Sequence, residues 1–336
     1  MVAMTPETEL DLRRLQEAIL VVEYWRQRGL ARPSETYRPH RLGQLQFHES
    51  EHTIRCLFPG NGFGKTRCIA EEVHAWCSHS CRWQNTPEWP IQAVWLARNR
   101  KQFALLRDQL EVETFGDEAE YTSGEAGGVY TWEDGSKLHL GVAARSGDWK
   151  KWEGINPDLV VFDELPRQDV WREMMMRRRV RKKTRFCVAA TATSSGVWAE
   201  AEIYRPWLDH HLEQGLELWR EDAHPTRKRD GGYVFPLVPG QDAHSVNNHP
   251  TMWVWTRGGI YSNPAADEDD FRWYEDRKWT SDKEREVRLW GGFANWLGDS
   301  VFDEAGLMYL LEQAKKLRLQ TPGVKQGRFV GYRRAS

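Results

Sequence analysis

The sequence predicts an α/β fold with a mainly parallel sheet flanked by helices, and three observations predict it. Short apolar runs at 53–58, 91–97, 159–162 and 186–190 alternate with stretches of helical periodicity. A glycine-rich turn lies between the first run and the helix that follows it. A later apolar run ends in two adjacent acids, Asp163 and Glu164. Strands that alternate with helices are joined by crossovers, and crossovers place parallel strands side by side.

Composition narrows the class. The chain has 336 residues, enough for about two domains. Hydrophobic residues make up 40% and charged residues 29%, a balance that excludes a wholly disordered chain. No apolar run approaches the ~18 residues needed to span a bilayer, and no membrane association is expected. The N-terminus lacks a basic region followed by an apolar stretch, so no secretory signal is expected. The 47 Lys and Arg nearly cancel the 49 Asp and Glu, which excludes a globally basic nucleic-acid binder but leaves room for a local basic surface. Five cysteines form no disulfide-like framework and read as reduced thiols of a cytoplasmic protein. His74, Cys77, His79 and Cys81 lie close together but lack the usual second ligand pair, so they read as a helix end rather than a zinc site.

The elements follow in order. Thr5 and Pro6 supply an N-cap and a first-turn proline, Leu12, Leu15, Ile19 and Val22 repeat at near-helical spacing, and Gly29 ends the helix. Residues 32–43, with Pro33 and Pro39, form a linker. The strand at 53–58 stops at Pro59-Gly60, and a helix is expected over 65–76. A strand at 91–97 precedes a helix at 101–112; antiparallel pieces follow at 129–132 and 137–141. The strands at 159–162 and 186–190 come next, then a short helix at 198–205 that Pro206 stops. Beyond residue 212 Pro, Gly, Asp and His become frequent. Two polar helices at 267–278 and 281–290, a break at Gly291-Gly292, a helix at 305–319 and a strand at 328–332 complete the reading.

The strongest local feature is Pro59-Gly60-Asn61-Gly62-Phe63-Gly64-Lys65-Thr66, set between a strand and a helix. That is the context of a phosphate loop. Glycines let backbone N–H groups turn toward phosphate, and the helix N-terminus adds its dipole. Gly60, Asn61, Gly62, Phe63, Gly64, Lys65 and Thr66 are therefore the expected nucleotide-binding residues, with Lys65 between the β- and γ-phosphates and Thr66 on Mg²⁺. The usual first glycine of the pattern is replaced by Pro59. At the end of the 159–162 strand, Asp163 is the expected metal-side carboxylate and Glu164 the catalytic base that takes a proton from the attacking water. Thr191, Ala192 and Thr193, directly after the 186–190 strand, are expected to sense the γ-phosphate and couple its loss to movement.

The loop GNGFGKT, the strand end VVFDE and the triplet TAT together resemble the ATPase of phage terminase large subunits, the motors that package DNA into proheads. That resemblance implies a P-loop NTPase of the RecA/ASCE type, using ATP and Mg²⁺, with an N-terminal helix and a small C-terminal lid. It covers about residues 38–302. It implies an adenine-recognising role for Gln44 and includes Trp152-x-Gly154, the 260–264 segment, and Arg288 through Phe302. The implied organisation is a helical segment at 1–36, an ATPase core at 37–211, a lid at 212–304 and a helix with tail at 305–336. Gly62 stands where many relatives carry an arginine, so an arginine finger must come from elsewhere; Arg98, Arg100 and Arg145 are the candidates, in cis or from a neighbouring copy. The implied partners are double-stranded DNA, a portal or prohead, a small terminase subunit and further copies of the chain in a ring, all in the host cytoplasm.

Residues 177–185 hold seven cations in nine positions, and Arg178, Arg181 and Lys182 are the expected DNA contacts, able to follow phosphates without reading bases. No nuclease activity is expected, because a two-metal site needs clustered carboxylates and the stretch beyond 302 has only Asp303, Glu304 and Glu312. Two other functions fit the same residues: a helicase-type P-loop translocase, and a nucleotide-switched assembly protein.

Overall fold

The computed structural model describes residues 19–20, 23, 33–40, 43–80, 82–84, 86–87, 90–124, 127–145, 147–177, 184–192, 197–216, 226–227, 233–234, 246–263 and 266–293. Most of the expected first helix, residues 178–183, Thr193 and the 305–336 segment lie outside them.

Eight strands form one sheet in the order β10-β1-β7-β6-β2-β5-β4-β3. They are β1 (Ile54–Leu57), β2 (Gln92–Ala97), β3 (Glu120–Gly124), β4 (Gly127–Thr131), β5 (Lys137–Val142), β6 (Leu159–Asp163), β7 (Arg185–Ala189) and β10 (Met252–Trp255). The six from β10 to β5 are parallel; β4 and β3 add an antiparallel margin. A separate two-residue pair joins β8 (Thr226–Arg227) to β9 (Tyr233–Val234). α1 (Gln44–Glu49) precedes β1, and α2 (Lys65–Cys77) carries the chain from β1 to β2. α3 (Arg100–Gln109) runs into a π-helical turn at Leu110–Phe115. α4 (Gln168–Arg177) links β6 to β7; α5 (Val197–Ala199) and α6 (Arg205–Glu213) follow β7. α7 (Glu268–Glu275) and α8 (Asp282–Trp290) come last.

Alternate residues of each central strand feed two cores. Leu57, Trp95, Val161 and Cys187 pack with Ile69, Val73, Leu106 and Leu110 on one face. Cys56, Val94, Val160 and Val188 pack with Trp171, Met174, Ile203 and Trp207 on the other. Because both faces are covered, these strands read in sequence as continuous apolar runs.

One residue breaks that rule. Arg55, in the middle of β1, is fully buried. Its Nη2 lies 2.7 Å from Glu72 Oε1 of α2, and its Nη1 donates to the Phe47 carbonyl at 3.1 Å. Glu72 also meets His48 Nδ1 at 2.7 Å and accepts from Trp76 Nε1 at 2.9 Å. Burial alone would push the Glu72 carboxyl up, but the Arg55 guanidinium and His48 hold it down at about 2. Removing one partner of a buried pair strands the other charge, so Glu72→Ala is expected to cost about 3–5 kcal/mol in urea unfolding. Since the folded value is depressed from 4.5, the stabilisation is present above about pH 4.5 and is lost as pH falls toward 2. A loss below about 1 kcal/mol would show that Arg55 finds other compensation.

Several elements differ from the sequence reading. Pro206 does not stop the helix expected at 198–205: a π-helical turn at Glu200–Tyr204 leads into α6, and Pro206 stands in the first turn of α6, where its missing N–H is tolerated. β3 is an edge strand of Glu120, Tyr121, Thr122, Ser123 and Gly124, mostly exposed; only Tyr121 leans on the core, so there is no apolar alternation to announce it. β10 lies within the stretch assigned to the lid, yet it is the buried neighbour of β1 with Ile54 opposite Met252. Composition shifts at 212, but long-range pairing returns the chain to the core, and pairing of that kind leaves no local signal. The helix expected at 101–112 begins one residue earlier and extends to Phe115 through the π-helical turn.

Candidate nucleotide-binding site

The 59–64 turn joins β1 to α2, so the N-terminus of α2 sits at the C-terminal edge of the parallel sheet. Helix dipole and first-turn N–H groups favour an anion there. Two glycines are needed for close approach. A Cβ on Gly60 would come within 2.5 Å of the Arg288 carbonyl oxygen, and Gly62, at φ +73°, has Ile260 packed against it. The segment from 258 to 292 clamps the loop: Gly60 N donates to Gly258 O at 2.6 Å, Asn61 N to Arg288 O at 2.5 Å, and Asn263 Nδ2 to Gly62 O at 2.8 Å. An arginine at position 62 would meet both the left-handed backbone and Ile260.

The sheet brings the other groups to this loop. β7 lies between β1 and β6, with Leu57, Ala189 and Asp163 in one row. Thr66 Oγ1 donates to Asp163 Oδ1 at 3.0 Å. Lys65 Nζ donates to Pro59 O at 3.1 Å, Gly60 O at 2.7 Å and Thr191 Oγ1 at 3.1 Å. Thr191 Oγ1 in turn donates to Asn61 Oδ1 at 2.8 Å. Glu164 follows Asp163 at φ +82°, and its N–H donates to Ala189 O at 2.7 Å. A non-glycine residue in that region costs about 1–3 kcal/mol, and such strain gathers where the surrounding structure enforces a functional orientation. A cavity of about 450 Å³ opens here, lined among others by Lys65, Thr66, Glu164, Thr191 and Tyr274.

The electrostatics favour an anion. Burial draws the Lys65 ammonium down to about 8, against the pull of Glu164 and Asp163. Burial and the neighbouring Glu164 push the Asp163 carboxyl up to about 6, offset in part by the Thr66 hydroxyl and Lys65. A cation that is short of negative charge and a carboxylate that is short of positive charge stand side by side. A phosphate would ease the first and a divalent cation the second.

Not every expected residue lies in the cavity. Gln44 is 4% exposed and spends its amide within the protein. Its Nε2 donates to Phe63 O at 3.0 Å and Gly64 O at 3.3 Å, and its Oε1 accepts from Tyr37 Oη and His40 N. That arrangement braces the loop. Arg100 and Arg145 line a separate cavity of about 900 Å³ with Arg107 and Lys151, and Arg98 is exposed at the turn after β2; none of the three lines the loop cavity. Arg67 does, with its Nη2 2.7 Å from Glu71 Oε1. Arg67 stands one place beyond the motif, where no spacing rule marks it. Ala192 is buried, and Thr193 lies outside the described residues. The two described cations of the basic run turn inward: Arg177 donates to the Trp152 carbonyl at 3.0 Å, and Arg185 donates to Gln84 and lies over the Trp76 ring. Arg178, Arg181 and Lys182 lie outside the described residues. His74 pairs with Glu118 at 3.0 Å and His79 with Asp134 at 2.7 Å, while Cys77 is buried among apolar groups.

A parallel sheet with one strand between the loop strand and the acid-ending strand, and a glycine-rich loop opening α2, defines a P-loop NTPase fold. No family model and no curated protein matches the chain. Among solved structures it is similar to the large terminase ATPase domain of Thermus phage P74-26, at 15% identity over 75% of this chain and 93% of that one, with TM-score 0.46. It is also similar to the large terminase of bacteriophage HK97, at 16% identity over 58% of this chain and 43% of that one, with TM-score 0.40. A third is the large terminase of a thermophilic bacteriophage, at 12% identity over 76% of this chain and 54% of that one, with TM-score 0.49. The chain thus spans about half the length of these last two proteins. Among the described residues no helix is long and apolar enough to cross a membrane.

Proposed function

We propose that the chain is an ATP hydrolase that drives double-stranded viral DNA into a prohead, the ATPase part of a terminase large subunit. The observation that carries the hydrolase reading is the contact chain Asn61–Thr191–Lys65 beside Thr66–Asp163, with Glu164 lining the same cavity. The packaging role is supported by the likeness of GNGFGKT, VVFDE and TAT to the terminase motifs.

The residues present fit ATP and Mg²⁺. Thr66 and Asp163 offer hard oxygen donors of the kind Mg²⁺ prefers, and Lys65 offers a half-buried ammonium on the cavity wall. Mg²⁺, when bound, would neutralise charge on the β- and γ-phosphates. Lys65 exchanges its loop carbonyls for phosphate oxygens and holds the charge that grows on them. Glu164 orients a water and takes its proton as the water oxygen attacks the γ-phosphorus and the bond to the β-phosphate oxygen breaks. Thr191, hydrogen-bonded to both Lys65 and Asn61, loses and regains these bonds with the γ-phosphate, which passes the event to β7.

The proposed setting is a ring of copies in the host cytoplasm, working with a portal and a small terminase subunit. The arginine finger in this scheme is Arg98, Arg100 or Arg145, reaching the nucleotide of a neighbouring copy. Arg178, Arg181 and Lys182 contact DNA phosphates. Replacing all three with Ala is expected to cut the slope of log affinity against log salt by up to about 2.7 units, close to 0.9 per lost phosphate contact. Fluorescence anisotropy with a random duplex from 50 to 200 mM salt reads it; an unchanged slope would move the contact elsewhere. Strand separation without a prohead would favour a helicase-type translocase. Turnover indifferent to DNA and prohead would favour a nucleotide-switched assembly protein.

A further inference from the structure

Asp163 is held from two sides. Thr66 Oγ1 donates to Oδ1 at 3.0 Å. From the first turn of α3, Gln102 Nε2 donates to the Asp163 backbone carbonyl and reaches Oδ2 at 3.5 Å. The direction of that amide is set by its other end: the Arg98 N–H donates to Gln102 Oε1 at 2.8 Å. A backbone donor must face the amide oxygen, so the amide nitrogen has to face the aspartate. The Gln102 N–H donates to Asn99 Oδ1 at 2.9 Å, which is the N-cap bond of α3.

A glutamine three places after an N-cap ordinarily reaches back to the cap residue's own N–H. Here the oxygen reaches one residue further, to Arg98, and the nitrogen is left for Asp163. The register of the sheet makes this possible, because Ala97 at the end of β2 lies opposite Asp163 at the end of β6. One side chain therefore ties the helix cap, the turn after β2 and the acid of the nucleotide site.

We propose that Gln102 is a positioning residue that fixes the Asp163 carboxylate so that, together with Thr66, it presents a preorganised oxygen pair to Mg²⁺. The inference rests on the ATP hydrolase reading above. A ligand whose orienting partner is removed typically loses 10–100-fold in metal affinity or activity. Gln102 does not touch the substrate in this scheme; it acts through Asp163.

The test compares Gln102→Ala with Asn99→Ala in the full chain. Asn99→Ala removes the helix cap without touching Asp163 and reports what the cap alone is worth. Mn²⁺ binding in the presence of ADP, followed by electron paramagnetic resonance of the free ion, is a readout independent of turnover. Gln102→Ala is expected to weaken Mn²⁺ binding and lower kcat by about 10–100-fold each, with little change in the KM for ATP at saturating Mg²⁺. Asn99→Ala is expected to lower the unfolding midpoint while leaving Mn²⁺ affinity and kcat near wild type. Wild-type Mn²⁺ affinity in folded Gln102→Ala, or equal losses in both variants, would overturn the positioning role. A wild-type chain that binds Mn²⁺ with ADP but does not hydrolyse ATP would overturn the hydrolase reading instead, and the Mn²⁺ comparison would still decide Gln102.

Discussion

Glu164→Gln is expected to bind ATP as the wild type does and to hydrolyse it about 10²–10⁴-fold more slowly, the usual loss on removing a general base. The substitution keeps the volume of the side chain and its place on the cavity wall, but it removes the proton acceptor. Glu164 also holds a left-handed backbone position directly after a buried strand, with its N–H bonded to Ala189 O. Glutamine tolerates that position about as glutamate does, so the fold is expected to survive. Asp163 has a different task, since both its oxygens face donors on Thr66 and Gln102. Asp163→Asn should therefore weaken Mg²⁺-dependent nucleotide binding, which Glu164→Gln should not. Binding assays with a fluorescent ATP analogue, beside phosphate-release kinetics, separate the two. If Asp163→Asn leaves Mg²⁺-dependent binding intact while Glu164→Gln destroys it, the two roles are reversed.

Lys65→Ala is expected to lose turnover by at least about 10²–10³-fold, the scale set by removing a single preorganised donor from a developing charge. Lys65 is the cation aimed into the loop, with three acceptors around its Nζ. Burial already draws it down to about 8, so the folded protein carries its charge at a cost that a bound phosphate would offset. Removing it should also relieve the folded state, and Lys65→Ala is expected to unfold no earlier than wild type. Hydrolysis at near the wild-type rate by the folded variant would refute the assignment of the loop.

The central strands were legible because burial on both faces writes uninterrupted apolar runs into the sequence. The loop was legible because backbone approach to phosphate demands glycine at fixed spacing, and the helix dipole demands a strand before it and a helix after. β3 was not legible, since an edge strand that sets one side chain, Tyr121, against the core has no pattern to show. The Arg55–Glu72 pair was equally silent: a charge inside an apolar run is acceptable only through a partner 17 places away. Gln102 and Arg67 belong to no motif, and only the placement of β2 against β6, and of α2 beside the loop, gives them a role. Gln44 stands beside the loop, but its bracing bonds to Tyr37, His40 and the loop carbonyls leave no mark in a spacing pattern.

The most direct test of the central claim is phosphate release by the purified chain in ATP and Mg²⁺, with and without linear duplex DNA, beside Lys65→Ala as the matched control. The wild type is expected to release phosphate in a Mg²⁺-dependent manner, stimulated by DNA, and folded Lys65→Ala is expected to release none above background. Equal release from both proteins, or a folded wild type that neither binds nor hydrolyses ATP, would contradict that claim.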